Sequence, residues 1–298
     1  MRLKLNTYVV IVAVLAVSIF DLSAQTGTPG ITKAVAPGTA QYQTLRLKSK
    51  LMNREMPYRV VLPTAYGDSG ETPRFPVVYL LHGLTGHFDN WTNRTKLVDY
   101  ALPGNVIIVT PEGDNGWYSD SITVATDKYE SYIVKELIPE IDKLYRTSAK
   151  RENRFIAGLS MGGYGSVKFG LKYPEMFSLV GSFSGALGAT SFTEKTAGNI
   201  GKGVDLIFGA DDSELRKSND VFRLIREMPA DKKKTLPFVY QSCGTEDFLF
   251  QNNRDFVALL AEKQVPHEYR QRPGAHDWKF WDLEIQEFLR LVERRIKK

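Results

Sequence analysis

The sequence predicts an α/β fold built on a mostly parallel, doubly wound sheet, with an antiparallel hairpin at its N-terminal edge. Three observations carry that prediction. Short continuous apolar runs such as FPVVYLL, residues 75–81, have the composition of strands covered on both faces. Between such runs, apolar residues recur at helical spacing, as Tyr129, Ile133, Leu137, Ile141 and Leu144 do. Strands and helices alternating at this interval place successive strands side by side and parallel. The third observation is the stretch RFIAGLSMGGYGSVKFGLK, residues 154–172, which reads as strand, sharp turn and helix.

In chain order, Arg2 and Lys4 precede an apolar run from Tyr8 to Phe20 and then Leu22-Ser23-Ala24, the pattern of a secretory signal peptide over 1–24. The run is shorter than the roughly 20 residues that span a bilayer. The expected location is therefore secreted or periplasmic, with no membrane attachment after cleavage. Residues 25–40, rich in Gly, Pro and Thr, read as a flexible leader, which leaves 41–298 as a single α/β domain.

Gln43 to Leu47 and Tyr58 to Leu62 alternate around Met52-Asn53-Arg54 and predict the edge hairpin. Residues 75–81 are the third strand, Trp91 to Ala101 a helix, and Asn105 to Val109 the next strand. Pro139 is expected to kink the long helix that begins near Tyr129. After residues 154–172 come strands over 177–183, 237–242 and 267–271, with a helix over 248–263. The final helix sets Trp281, Ile285, Phe288, Leu289 and Val292 on one stripe. Residues 185–230 fit the alternation least well and read as an insertion over the end of the sheet, with 219–228 helical.

With 43% hydrophobic and 24% charged residues, the 298-residue chain can bury a sizeable core. The formal charge of +5 is spread along the chain apart from Lys232-Lys233-Lys234 and the closing residues 294–298, and no nucleic-acid module accompanies it, so nucleic acid is not an expected partner. The one cysteine, Cys243, allows no intrachain disulfide and reads as a small buried hydrophobe in a strand.

Gly158-Leu159-Ser160-Met161-Gly162 has the G-x-S-x-G form of a nucleophile elbow, in which a serine hydroxyl stands above the sheet at the start of a helix. Such a serine needs a base. Of four histidines, His276 alone follows the last strand on a Gly-containing loop, in the order serine, acid, histidine. Its acid partner is read as Asp247, one turn past strand PFVYQS; Asp211 and Asp212 are the runners-up, because Leu206 to Gly209 could also be a strand. An oxyanion would be met by the N–H of Met161 and by one from the loop His82-Gly83-Leu84-Thr85-Gly86, with Leu84 chosen and Thr85 next. His82 reads as a support for that loop, since no paired His or Cys spacing suggests a metal. The chemistry calls for no cofactor and no metal.

The segments HGLTGHFDNW, GLSMGG, CGTEDFL and PGAHDWKFW, in this order and spacing, resemble the putative-esterase family of α/β hydrolases. That family includes esterase D and S-formylglutathione hydrolases, tributyrin esterases, feruloyl and acetylxylan esterases, and secreted mycolyltransferases. The resemblance runs from about Leu45 to the C-terminus. It implies the α/β-hydrolase fold, Ser160, Asp247 and His276 as a triad, and Leu84 and Met161 as oxyanion donors. It also suggests Trp117 and Tyr118 near the substrate pocket, where packing is an equal alternative. The implied activity is a secreted serine carboxylesterase acting on short-chain or aromatic acyl groups, on a small-molecule or carbohydrate-linked ester. The alternatives are an acyltransferase that moves the acyl group to a sugar hydroxyl, or a thioesterase like S-formylglutathione hydrolase, which the signal peptide disfavours. Whether the chain forms a homo-oligomer is left open by the sequence.

Overall fold

The computed structural model describes residues 42–68 and 73–296; the expected signal peptide and leader lie outside the described residues. Among those described, eight strands form one sheet: β1 (Tyr42–Ser49), β2 (Arg54–Val61), β3 (Val77–Leu81), β4 (Ile107–Pro111), β5 (Arg154–Leu159), β6 (Leu179–Phe183), β7 (Phe238–Gly244) and β8 (His267–Arg272). Their order is β1-β2-β4-β3-β5-β6-β7-β8. β1 pairs antiparallel with β2 from Tyr42↔Val61 to Ser49↔Arg54, and β2 pairs antiparallel with β4. Every later pairing is parallel, so strands β3 to β8 all end at the same edge. The edge hairpin and the doubly wound sheet are as the sequence predicts.

Alternate residues of the inner strands feed two cores. Tyr79, Leu81 and Ile156 face Tyr132, Ile133, Leu137, Tyr164 and Val167 on one side. Val78, Leu80, Phe155 and Ala157 face Trp91, Leu97, Ile285, Phe288 and Val292 on the other. Because helices cover both faces, all residues of β3, β4, β5 and β6 are buried, which explains their unbroken apolar runs. Cys243 is buried among them, and burial pushes its thiol up to about 12.

Three expectations need correction. The helix read over Trp91 to Ala101 is two short helices, Asn90–Arg94 and Leu97–Ala101. Thr95 separates them: its hydroxyl donates to the Trp91 carbonyl (2.5 Å) and accepts from the Leu97 N–H (3.1 Å), competing with the helical ladder. The long helix is not simply kinked at Pro139. A π-helical turn, Ile133–Leu137, sits between Tyr129–Tyr132 and Ile138–Leu144, widening the backbone where the proline ring would crowd the preceding turn. Residues 206–208, considered as a strand, close the helix Glu194–Phe208. The insertion is helical elsewhere too, with Ser213 capping Glu214–Ser218 and Asp220 capping Val221–Glu227.

Candidate active site at the carboxyl edge of the sheet

Ser160 follows β5 directly and precedes the helix Met161–Lys172, with φ 51° and ψ −115°, a left-handed conformation that serine seldom adopts. Three backbone hydrogen bonds hold it there: its N–H donates to the Phe183 carbonyl (2.9 Å), and its carbonyl accepts from the N–H groups of Tyr164 and Ala186 (3.0 Å each). The bend also requires the helix to approach the neighbouring strand. A Cβ at Gly162 would lie 2.5 Å from the Leu81 carbonyl oxygen and 2.6 Å from that of His82, so no other residue fits.

Asp247 lies past the end of β7 and His276 past the end of β8. The His276 Nε2 is 3.0 Å from the Ser160 Oγ, and its Nδ1 is 2.8 Å from the Asp247 Oδ2. In this arrangement the Nδ1–H donates to the carboxylate while Nε2 accepts from the hydroxyl, the tautomer that general-base work requires. Asp247 is 5% exposed. Burial alone would raise its pKa, but hydrogen bonds from His276, the Leu249 N–H and Ser184 outweigh it and hold the carboxylate below its ordinary range. The two loops are tied together: the Gly274 N–H donates to the Glu246 carboxylate, and the Glu246 N–H to the Gly274 carbonyl (3.0 Å). Asp211, the runner-up acid, has a side chain 72% exposed and lies 3.8 Å from Arg216. Asp212 is also on the surface. Neither is brought to His276.

Met161 opens the helix, where N–H groups lack acceptors within the helix. The loop after β3 passes over the serine, since a Cβ on Gly83 would stand 3.4 Å from that of Ser160, and Leu84 follows on this loop. The Thr85 N–H donates to the Asn115 Oδ1 (2.7 Å), so the second-choice oxyanion donor is already engaged.

His82 braces this loop as the sequence suggests, but its partner Glu112 was not read from the sequence. The His82 ring is buried, with Nδ1 2.8 Å from the Gly83 carbonyl and Nε2 3.0 Å from the Glu112 Oε1. Glu112, just past β4, also accepts from the N–H groups of Gly113 (3.0 Å), Asp114 (2.8 Å) and Phe88 (3.3 Å). Burial opposes its charge, yet the contacts from His82 and these N–H groups prevail and hold it at about 2. An acidic residue in Pro111-Glu112-Gly113, directly after a buried strand, was the available signal. Glu112, His87 and Asp114 present donor atoms within 4.8 Å of one another. The Asp114 Oδ2 already accepts from Tyr129 (2.5 Å) and Arg54 (2.7 Å), and Glu112 is engaged as above, so the cluster is read as bracing.

Trp117 and Tyr118 both have positive φ (49° and 51°) and are both interior. Trp117 packs edge-on against Tyr164 and Phe192. Tyr118 has no exposed surface and donates its hydroxyl to the His82 carbonyl (3.0 Å), so it packs beneath the loop after β3. The Tyr118 carbonyl in turn accepts from the fully buried Lys168, which also reaches Ser119 (2.5 Å) and Glu130 (2.8 Å).

Comparison with known proteins identifies the family. A family model described as "Putative esterase" matches residues 49–291. An acetyl esterase of Caldicellulosiruptor saccharolyticus is 29% identical over 251 residues, 80% of this chain and 92% of the relative. An esterase of Mycobacterium tuberculosis strain H37Rv is 29% identical over 238 residues, 73% of this chain but only 51% of its own length. Among solved structures, a ferulic acid esterase matches with a TM-score of 0.73 at 28% identity, over 85% of this chain and 98% of that one.

Proposed function

Because the chain belongs to the putative-esterase family and is a carboxylic ester hydrolase of α/β-hydrolase fold, we propose that it is a secreted serine carboxylesterase cleaving short-chain or aromatic acyl esters, with Ser160, His276 and Asp247 as its triad. The observation that carries this reading is the unbroken relay from the Ser160 hydroxyl to His276 (3.0 Å) and from His276 to Asp247 (2.8 Å). Ser160 attacks the ester carbonyl carbon while its proton passes to the His276 Nε2. The oxyanion is met by the N–H groups of Met161 and Leu84, each worth about 3 kcal/mol in the transition state. The bond to the alcohol oxygen then breaks, and the imidazolium returns its proton to that oxygen. Water, activated by the same histidine, hydrolyses the acyl-enzyme and frees the serine.

The acyl range is supported by relatives named acetyl esterase and ferulic acid esterase, and export by the N-terminal sequence pattern. Among the described residues no helix is long and apolar enough to cross a membrane. The test is hydrolysis of p-nitrophenyl acetate, p-nitrophenyl butyrate and methyl ferulate, with and without an alcohol acceptor. Ser160→Ala is expected to abolish turnover and leave the melting temperature nearly unchanged. Retained turnover would remove the serine from the mechanism, and acyl transfer that outpaces hydrolysis would replace hydrolase by transferase. N-terminal sequencing of exported protein should begin at Gln25.

A further inference from the structure

Lys168 is the one buried lysine among the described residues, and the triad makes no use of it. Burying an ammonium is costly unless each of its three N–H donors finds an acceptor. Here the Nζ donates to the Tyr118 carbonyl (2.7 Å), the Ser119 Oγ (2.5 Å) and the Glu130 carboxylate (2.8 Å). Glu130 also holds Lys172 (2.6 Å) and the Tyr173 hydroxyl (2.7 Å), so it would be paired without Lys168. Two of the three donors go instead to one turn, Trp117 to Ser119. That turn needs holding. Trp117 and Tyr118 both lie in the left-handed region (φ 49° and 51°), which bulky residues keep only where their surroundings over-determine it. The Ser119 hydroxyl, accepting from Lys168, donates to the Trp117 carbonyl (2.9 Å), and the Ser119 N–H donates to the Gly116 carbonyl (3.0 Å).

The turn directs the Tyr118 ring into a slot against two glycines. A Cβ at Gly113 would lie 2.5 Å from the ring Cε1, and one at Gly165 2.7 Å from the Cδ2. From this slot the hydroxyl donates to the His82 carbonyl (3.0 Å), which fixes the His82–Gly83 peptide. The next peptide is held by the Gly83 carbonyl, which accepts from the His82 Nδ1 (2.8 Å) and the Gly86 N–H (3.0 Å). Because a trans peptide is planar, fixing that carbonyl fixes the Leu84 N–H on its opposite side. Glycine at 83 would otherwise leave the two planes free to turn against each other.

We propose that Lys168 is a positioning residue for the oxyanion loop: through the 117–119 turn and the Tyr118 hydroxyl it fixes the His82–Gly83 peptide, and so aims the Leu84 N–H at the oxygen that becomes charged. This rests on the serine-esterase reading and adds the group that aligns its second donor. Met161 and Lys168 belong to one helix, Met161–Lys172, about 10 Å apart along its axis. That helix presents the first donor at its start and, through Lys168, sets the second, so both donors are referred to one rigid element.

Tyr118→Phe removes only the hydroxyl, and Lys168→Met removes the charge. In each, kcat for p-nitrophenyl acetate is expected to fall about ten-fold with KM unchanged, the mark of an interaction used in the transition state and a smaller loss than deletion of a whole donor. The double variant is expected to be no slower than the slower single variant, since both act through one contact. Binding of a trifluoromethyl ketone, whose adduct with Ser160 carries the oxyanion, should weaken by the same factor. Lys172→Met, which takes the other cation from Glu130 without touching the turn, should keep the wild-type kcat. Should Lys168→Met fail to fold, Ser119→Ala, which takes one turn acceptor from Lys168, replaces it in the same cycle with Tyr118→Phe. Unchanged kcat in Tyr118→Phe, multiplied losses in the double variant, or an equal loss in Lys172→Met would each overturn the proposal. Amide hydrogen exchange at Gly86, whose N–H is bonded to the Gly83 carbonyl, should quicken in Tyr118→Phe and Lys168→Met and not in Lys172→Met. If the wild type cleaves no ester at all, the esterase reading fails by itself; the exchange rates then decide whether Lys168 holds the loop, and unchanged rates would show that it does not.

Discussion

Glu112→Gln removes one buried charge while keeping the shape of the side chain. The carboxylate collects the His82 ring and the N–H groups of Phe88, Gly113 and Asp114. Burial is the largest influence on it and opposes the charge, but these donors prevail and lower its pKa from 4.5 to about 2. A folded pKa below the unfolded one gives stability that is fully present above about pH 4.5 and is lost as pH falls through about 2. The gap corresponds to about 3 kcal/mol at pH 7, somewhat less at pH 4 and less than half of that at pH 3. Urea unfolding of wild type and variant at those three pH values measures the difference directly, and it should shrink in that order. The same substitution loosens the loop that carries Leu84, so kcat at pH 7 is expected to fall by about ten-fold, less than removal of a whole oxyanion donor would cost. A stability difference that stays constant from pH 7 to pH 3 would refute the reasoning, since the charge would then contribute nothing.

Asp247→Asn should lower kcat by ~10³–10⁴-fold with folding intact, while Asp211→Asn leaves it unaltered; the opposite result in steady-state assays would reassign the acid. Gly162→Ala puts a methyl 2.5 Å from the Leu81 carbonyl, which is backbone and cannot yield, so a loss of at least about 3 kcal/mol, or insoluble protein, is expected in denaturation experiments. Lys168→Met leaves Glu130 with Lys172 and Tyr173 as partners and should destabilise by about 3 kcal/mol in urea unfolding.

The inner parallel strands β3 to β6 were legible because both of their faces are covered, so they read as largely apolar runs. The elbow was legible because tight packing admits only glycine at fixed positions around Ser160. His276 could be picked from four histidines by chain order, and Asp247 by its place after β7. Harder to read were features set by side chains meeting from distant elements. Nothing local to Tyr118 says that its hydroxyl supports the His82 carbonyl 36 residues away. Nothing near Glu112 says that it holds His82, since both follow strands that become neighbours only in the sheet. Within residues 185–230, 219–228 was legible as a helix and Val221–Glu227 is one, whereas the helix Glu194–Phe208 was obscured for another reason: with glycine at 198, 201 and 203 it has weak propensity and depends on the Thr193 cap.

The two halves of the site are held by different means, and this decides how they fail. Ser160 sits in a backbone conformation that costs about 1–3 kcal/mol. Its restraints come from the interior: β6 through the Phe183 carbonyl, the helix through Tyr164, and the close passage of Gly162 beneath β3. Distortion there cannot relax without moving the sheet, so substitutions around the serine register in stability as well as in rate. His276 and Asp247 are held by two surface loops joined through Glu246 and Gly274 and by ring contacts with Trp281 and Phe248. Those loops can shift while the sheet persists, so changes at Glu246 or Gly274 should lower kcat with little change in unfolding free energy. The proposed nucleophile is thus held by the fold itself, whereas its proposed base is held by loops.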